Sequence, residues 1–435
     1  MSGASLRLNA CLLILAAALL AIVSDWNHEL SLAGLWRLPA MLLMLGLAYE
    51  SWVVSRSRWA LELKAPEHLF LGRSSAIRFV CTHAMTRTMA LELAPSAPDF
   101  FDLDSSVESL HVKAGERAVI ERRVTPKRLG QFDWPALRTR TAGPLGLAWW
   151  PRRVACPGVV RIQPDLFRNA GEVKGVAAIG SQASVDIGAG AEVLRLRDYR
   201  AGDPPRVIDW KATARADRLI SREFSQDNGL QIVIMIDAGR SSALRAGLLD
   251  RFGHYVNVAA RLAQFAAQRE DLVGLVVYAD RPLAALAPAR GTSAVARLRT
   301  VLAASKVERT ESNPLYAATR VRSLVRHRSL IVMLTDIDDA SAQSQLAQSV
   351  RFLLPTHLPF VAALSSAEAE SMARASANQW LDPYRSLAAQ EYCVGLERKA
   401  RALNALGAPA LVAKPDQLEH AVFAAYANFR RRRRA

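Results

Sequence analysis

The sequence predicts a doubly wound α/β sheet, preceded by a β-sandwich and a two-helix transmembrane hairpin. Three observations carry this. From Leu230 onward, continuous apolar runs alternate with amphipathic ones. Across residues 59–165, short alternating stretches are broken by Gly, Pro, Ser and Asp. Two long apolar runs fill residues 1–58. The expected organisation is therefore a hairpin at 1–58 and a β-sandwich at 59–165. A linker with a charged segment follows at 166–229, and the α/β domain occupies 230–435.

The first apolar run goes from Leu8 to Val23 and the second from Leu32 to Val54, interrupted by Arg37 and Glu50. A bilayer core needs roughly 20 apolar residues per helix, so the first is short and the second adequate. A buried soluble hairpin competes, but the near-absence of charge argues against it. A cleaved signal peptide competes too, with only a weak exit site before Asp25. The turn from Ser24 to Ser31 carries Asp25 and Glu29 and no Lys or Arg. Arg7 precedes the first helix, and Arg56 and Arg58 follow the second. The positive-inside rule places both termini, and the bulk of the chain, in the cytoplasm of a bacterial inner membrane. Glu50 falls at the inner headgroup level or marks a functional intramembrane acid.

The next region reads as short strands, such as Ala76–Val80, Met89–Leu93 and Leu110–Val112. Regular short strands with frequent turn signals predict a sandwich. Two landmarks close it, Thr125 to Phe132 and Gly143-Pro144-Leu145-Gly146-Leu147 followed by Trp149-Trp150. Val159 to Gln163 reads as its last strand. No nucleophile, base and orienter cluster here, so the region reads as a spacer or binding module. Residues 166–191 are rich in Gly, Ala and Ser. Their Gly188-Ala189-Gly190 lacks the strand and helix that frame a nucleotide loop.

In the α/β region the expected strands are Leu230–Ile236, Leu272–Ala279, Ser329–Thr335, Pro359–Ser365 and Pro409–Ala413. All but the last are near-continuous apolar runs, as in central parallel strands covered on both faces. Leu248, Phe252, Tyr255, Ala259, Leu262 and Ala266 form one helical stripe. Further helices are expected at Ser293–Ala304, Leu315–Arg326 and Ala340–Leu353. A last one runs from near Pro415 into Arg430–Arg434, which touches anionic lipid or ends as a solvated helix.

Ligands of open α/β sheets sit at the carboxyl ends of the strands. Asp237 and Asp336 end two of the predicted strands, and Ser241 and Thr292 are within reach of that edge. Two carboxylates and two hydroxyls form an all-oxygen set suited to Mg²⁺, the one cofactor the chain suggests. The alternative is that Asp237 and Ser241 cap the following turn.

The charged segment reads Glu192 to Arg215, with Arg195, Arg197, Arg206, Lys211 and Arg215 set against Glu192, Asp198, Asp203 and Asp209. Pro204-Pro205 marks a fixed bend. Arg pairs bidentately with carboxylates, so a salt-bridge lattice is expected. A docking face for an acidic loop or a phosphate is the other reading.

The strand, the Asp237 to Ser241 turn, a distant Thr and the Leu334-Thr335-Asp336 strand end resemble a von Willebrand factor A domain with its metal-ion-dependent adhesion site. That motif has Ser at its third position, where this chain has Gly239, and Arg240 adds positive charge beside it. A water could replace the missing hydroxyl. Arg197, Asp198, Tyr199, Gly202, Asp203, Arg206, Asp209, Trp210, Lys211 and Arg215, with the two sandwich landmarks, closely resemble the signature of the domain of unknown function 58 family. The resemblance implies a von Willebrand factor A-like domain on a membrane anchor, with genes that commonly neighbour a MoxR-type AAA+ ATPase. It implies an accessory role in assembling or maturing client protein complexes, and no enzymatic activity.

Composition fits that reading. The 435 residues are 51% hydrophobic, with a formal net charge of +16. Such a balance admits nucleic acid, anionic lipid or acidic proteins, or is a basic background. The membrane signals outweigh any nucleic-acid motif, so the expected partners are the bilayer, the ATPase and a client. Cys11, Cys81, Cys156 and Cys393 show no C-x-x-C spacing and suit a reduced compartment. The eight histidines are scattered, without H-E-x-x-H spacing, and no G-x-S-x-G or P-loop is present. A non-enzymatic adaptor is the first expectation, and a metal-dependent adhesion module binding an acidic protein is the alternative.

Overall fold

The computed structural model describes residues 5–27, 36–93, 98–103, 108–167, 193–224, 229–338, 340–376 and 379–434. The chain divides into two compact units, Met1–Gln163 and Pro164–Ala435. The expected linker lies almost wholly outside the described residues, as do residues 28–31 of the expected turn, while Ser24 to Asn27 continue the first helix.

In the first unit, helices Leu8–Asn27 and Arg37–Arg56 precede a β-rich region. Arg37–Arg56 is long and apolar enough to cross a membrane, while the apolar stretch Leu8–Val23 is shorter. Among the described residues, the strands of the β-rich region together with Ser5–Leu6 form sheets of five, four and three strands. Period-two patterning orders them. In Ala118–Pro126, Ile120, Arg122 and Val124 are buried while Val119, Glu121 and Arg123 are exposed. Phe79, Phe101 and Trp134 form an aromatic cluster, with Trp134 5.6 Å from Phe79 and 5.2 Å from Phe101 between ring centroids.

Glu50, the acid within the second apolar helix, is taken up by the protein. It is fully buried. Its Oε1 accepts from the amides of Leu145 and Leu147, each at 2.9 Å, and its Oε2 from that of Ala148 at 3.0 Å. A concave set of backbone N–H groups is a natural anion seat. Gly143 is required there, since a Cβ would lie 2.1 Å from the Glu50 carboxyl carbon. The Gly143 to Leu147 landmark is therefore the receptor for a carboxylate on the second apolar helix.

The second unit is built on a six-stranded sheet. Its order is Pro282–Ala289, Leu272–Tyr278, Gln231–Asp237, Leu330–Leu334, Leu358–Leu364 and Ala410–Ala413. All neighbours are parallel except Pro282–Ala289, which runs antiparallel at one edge. The sheet is thus mixed, and its antiparallel edge strand was not among the expected strands. Prolines 282 and 288 fit an edge strand, whose outer N–H groups need no ladder partner. Gly274 on the neighbouring strand permits the close approach, since a Cβ there would meet the Leu286 carbonyl at 2.9 Å.

Helix Arg251–Ala267 packs on the sheet through Phe252, Tyr255, Ala259, Leu262 and Ala266, all buried. Leu248 of the expected stripe lies before the helix and is partly exposed. Helices Gly291–Ala304, Pro314–Leu324, Ala340–Leu353 and Leu418–Arg434 occupy the expected places, and Ala367–Arg374 and Asp382–Ala405 are additional. Arg430, the first of the terminal arginines, is paired within the protein. Its guanidinium lies 2.6 Å from the buried Asp271 carboxylate. The side chains of residues 431–434 lie outside the description.

Candidate functional site

The strand Gln231–Asp237 has Leu272–Tyr278 on one side and Leu330–Leu334 on the other. Chain direction across the sheet reverses between the first and last of these, so the crevice at their carboxyl ends is the topological switch point. Asp237 and Asp336 stand there, 1% and 3% exposed.

Asp237 accepts from three protein donors. Its Oδ1 accepts from the Gly239 amide at 2.8 Å and from the Ser312 hydroxyl, and its Oδ2 from the Thr335 hydroxyl at 2.8 Å. Burial nonetheless pushes its carboxyl above the ordinary range, and neighbouring Asp336 adds to the rise. Asp336 accepts from the guanidinium of Arg251 and, at 3.0 Å, from the Asp338 amide. Arg251 opens helix Arg251–Ala267 and also donates to the Tyr392 hydroxyl at 3.1 Å. Tyr255 donates to the Thr335 carbonyl at 3.1 Å and accepts from the Leu364 amide at 3.3 Å, which ties two strand ends to the helix.

The other expected ligands do not join this group. Ser241 is partly exposed in the 3-10 turn Arg240–Ala243, and it is the Ser242 hydroxyl that donates to the Asp237 carbonyl at 2.9 Å. Thr292 is exposed in the first turn of Gly291–Ala304, and among the described residues no hydrogen bond joins it to either carboxylate. Arg240 reaches away to Glu311 at 3.2 Å.

Gly239 has a steric reason. A Cβ there would lie 2.1 Å from the Ser312 Oγ and 3.1 Å from the Thr310 carbonyl. The hydroxyl absent at position 239 is thus supplied from a different loop by Ser312. Restoring the adhesion motif with Gly239→Ser should therefore destabilise the domain by about 1–3 kcal/mol through overpacking. Combining it with Ser312→Gly should recover most of that loss. Chemical unfolding of the single and double variants reads this, and a neutral Gly239→Ser would defeat it. Taken together, these residues do not fit Mg²⁺. Asp237 is occupied by hydroxyl and amide donors, and Asp336 already faces a buried cation.

The charged segment forms a hairpin, Val193–Asp198 with Ile220–Phe224, around the short helix Trp210–Ala216. Arg197 pairs bidentately with Asp203, at 2.8 and 2.9 Å. The Arg200 amide at 3.0 Å and the Ser221 hydroxyl at 3.2 Å complete that carboxylate. The Arg197 guanidinium, then the Arg200 amide, pull the Asp203 carboxyl down to about 2. Tyr199 donates to the Asp203 carbonyl at 3.0 Å. Gly202 takes a φ of 108°, which closes this tight loop. Asp209 caps the helix through the Lys211 and Ala212 amides, both at 3.0 Å, and accepts from Arg222 at 3.0 Å. The amide of Ala212, then Arg222, hold its carboxyl below the usual range. Asp198 pairs with Arg218 at 3.3 Å on the surface.

These are the residues of the signature, and residues 195–357 match the family described as protein of unknown function DUF58. Over that stretch the chain is similar to the DUF58 family. The comparison with curated proteins found no match. Among solved structures, the chain is similar to the conserved hypothetical protein BatB from Bacteroides thetaiotaomicron. That alignment has 16% identity and a TM-score of 0.26, covering 31% of this chain and 67% of that one. It is also similar to a protein of unknown function from Porphyromonas gingivalis W83, at 16% identity and a TM-score of 0.18. Here 25% of this chain and 47% of the other are covered, so the chain spans about half that relative's length.

The charged hairpin has a second face. Trp210 is 66% exposed at the start of its helix. Arg200, Lys211 and Arg215 are exposed, and none has an ion-pair partner among the described residues. The Arg206 side chain lies outside the description.

Proposed function

We propose that this protein is a non-enzymatic accessory protein of the bacterial inner membrane. Its second unit, read as von Willebrand factor A-like, and its β-sandwich lie on the cytoplasmic side of a two-helix anchor. It acts with a MoxR-type AAA+ ATPase in the assembly or maturation of a client protein complex. The supporting observation is the division of the signature into two parts. Arg197, Asp203, Asp209 and Arg222 satisfy one another and hold the hairpin, whereas Trp210, Arg200, Lys211 and Arg215 have no structural task there. An exposed indole among free cations is the composition of a protein-docking hot spot, suited to an acidic partner segment. The adhesion reading needs a divalent cation at Asp237, Ser241 and Asp336, and the donor arrangement at the switch point speaks against it.

The test is capture of the ATPase by the detergent-solubilised chain, in its ATP-bound and ADP-bound states. Trp210→Ala should weaken capture by about 2 kcal/mol, roughly 30-fold, with an unchanged unfolding midpoint. Lys211→Glu with Arg215→Glu should weaken it further and abolish its salt dependence. Wild-type capture no better than by a soluble control domain would remove the proposal.

A further inference from the structure

We propose that Arg251 is the resident cation of the carboxylate centre at the switch point, and that the centre is closed to divalent metal for as long as Arg251 is there. The centre holds two carboxylates out of water, and buried charge must be paired. Asp336 is 3% exposed and Arg251 4% exposed, with the guanidinium directly on Asp336 Oδ2. The pairing is built into the fold. Arg251 is the first residue of its helix, behind Asp250, whose carboxylate caps the Gly253 amide at 2.7 Å. That first turn sets the Arg251 side chain against the end of strand Leu330–Leu334, and the Tyr392 hydroxyl of helix Asp382–Ala405 takes another of its donors at 3.1 Å.

A guanidinium suits this place better than a hydrated ion. It is planar, weakly hydrated and permanently charged, whereas Mg²⁺ keeps several waters and demands octahedral oxygen ligands. Beside it, Ser312 and Thr335 donate their hydroxyl protons to Asp237. The result is a fixed ionic latch. It joins the strand end to helix Asp382–Ala405 through Tyr392, and Lys399 of the same helix adds a second tie to the Asp338 carbonyl at 2.7 Å.

The latch makes a sharp prediction. Removing the guanidinium uncovers an oxygen-lined pocket with unbalanced negative charge, so Arg251→Ala should convert the centre into a divalent-cation site. The experiment uses the full chain in detergent, with Mn²⁺ paramagnetic resonance and thermal unfolding in millimolar Mg²⁺ or in chelator. Wild type should leave Mn²⁺ free and unfold at the same temperature in both. Arg251→Ala should unfold at a lower temperature, bind Mn²⁺, and regain stability in Mg²⁺. Adding Asp336→Asn should abolish that rescue. Where Arg251→Ala alone gives no folded protein, the double variant Arg251→Ala with Asp336→Asn should fold, because it removes both charges of the pair. Wild type that binds Mn²⁺ and loses it with Asp237→Asn overturns the proposal. So does a folded Arg251→Ala that ignores both cations, or a double variant as unstable as the single one.

Discussion

Glu50→Ala should destabilise the first unit by about 3–6 kcal/mol, because each buried amide left without its acceptor costs about 1–3 kcal/mol. Three amides depend on this carboxylate, those of Leu145, Leu147 and Ala148. The Trp150 indole adds a weaker contact at 3.4 Å. Gly143 makes room for the carboxylate, since a Cβ there would lie 2.1 Å from its carbon. Glu50→Gln should lie between wild type and alanine. Its amide keeps one acceptor oxygen and sets an NH₂ group against a backbone donor. Gly143→Ala should act as strongly as Glu50→Ala, by expelling the carboxylate rather than deleting it. Thermal unfolding of the full chain in detergent, followed by tryptophan fluorescence, reads all three. An alanine variant that unfolds with wild type would mean that the loop finds other acceptors.

This seat also shows where sequence reasoning stops. An acid in an apolar helix and a Gly-Pro-Leu-Gly-Leu run were both visible, but nothing links positions 50 and 145 in the sequence. The central strands were legible because burial on both faces leaves unbroken runs such as Ile232 to Ile236. The edge strand Pro282–Ala289 was not, since its two prolines and four alanines carry no strand signal. Helix Asp382–Ala405 escaped for a related reason. Only Ala389, Leu396, Ala400 and Leu403 of its residues are buried, too sparse a stripe to stand out.

At the switch point the carboxylates were predictable as strand ends, but their partners were not. Ser312 comes from the loop before helix Pro314–Leu324, and Arg251 from a helix start 85 residues before Asp336. One clue for Arg251 existed. It follows Asp250, a residue type common at helix starts, and directly precedes an apolar stripe, so a cation was bound to be carried toward the sheet. The charged hairpin was the most legible part of the site. Nearly balanced charge implied mutual pairing, and Arg197–Asp203 and Arg222–Asp209 are such pairs. Which members would be left over, Lys211 and Arg215, depended on helix phase, and alternating signs do not encode it.

Asp271→Ala should cost the second unit about 3–5 kcal/mol, the range for removing one partner of a buried ion pair. Asp271 is fully buried just ahead of strand Leu272–Tyr278. It accepts from the Leu230 amide at 2.8 Å, from the Tyr426 hydroxyl, and from Arg430 at 2.6 Å. One side chain thus joins the entrances of two neighbouring central strands to the last helix, Leu418–Arg434. The aromatic packing beneath depends on the same alignment, with Phe265 4.9 Å from Phe423 and 5.8 Å from Tyr426 between centroids. Asp271→Asn should cost less, because its carbonyl still accepts from Leu230. Arg430→Met should cost less than Asp271→Ala, because Tyr426 and Leu230 still stabilise the carboxylate. Combining Asp271→Ala with Arg430→Met should cost less than the sum of the two, since both remove one interaction. Urea unfolding measures each term. Strict additivity would show that Arg430 and Asp271 do not interact in the native protein.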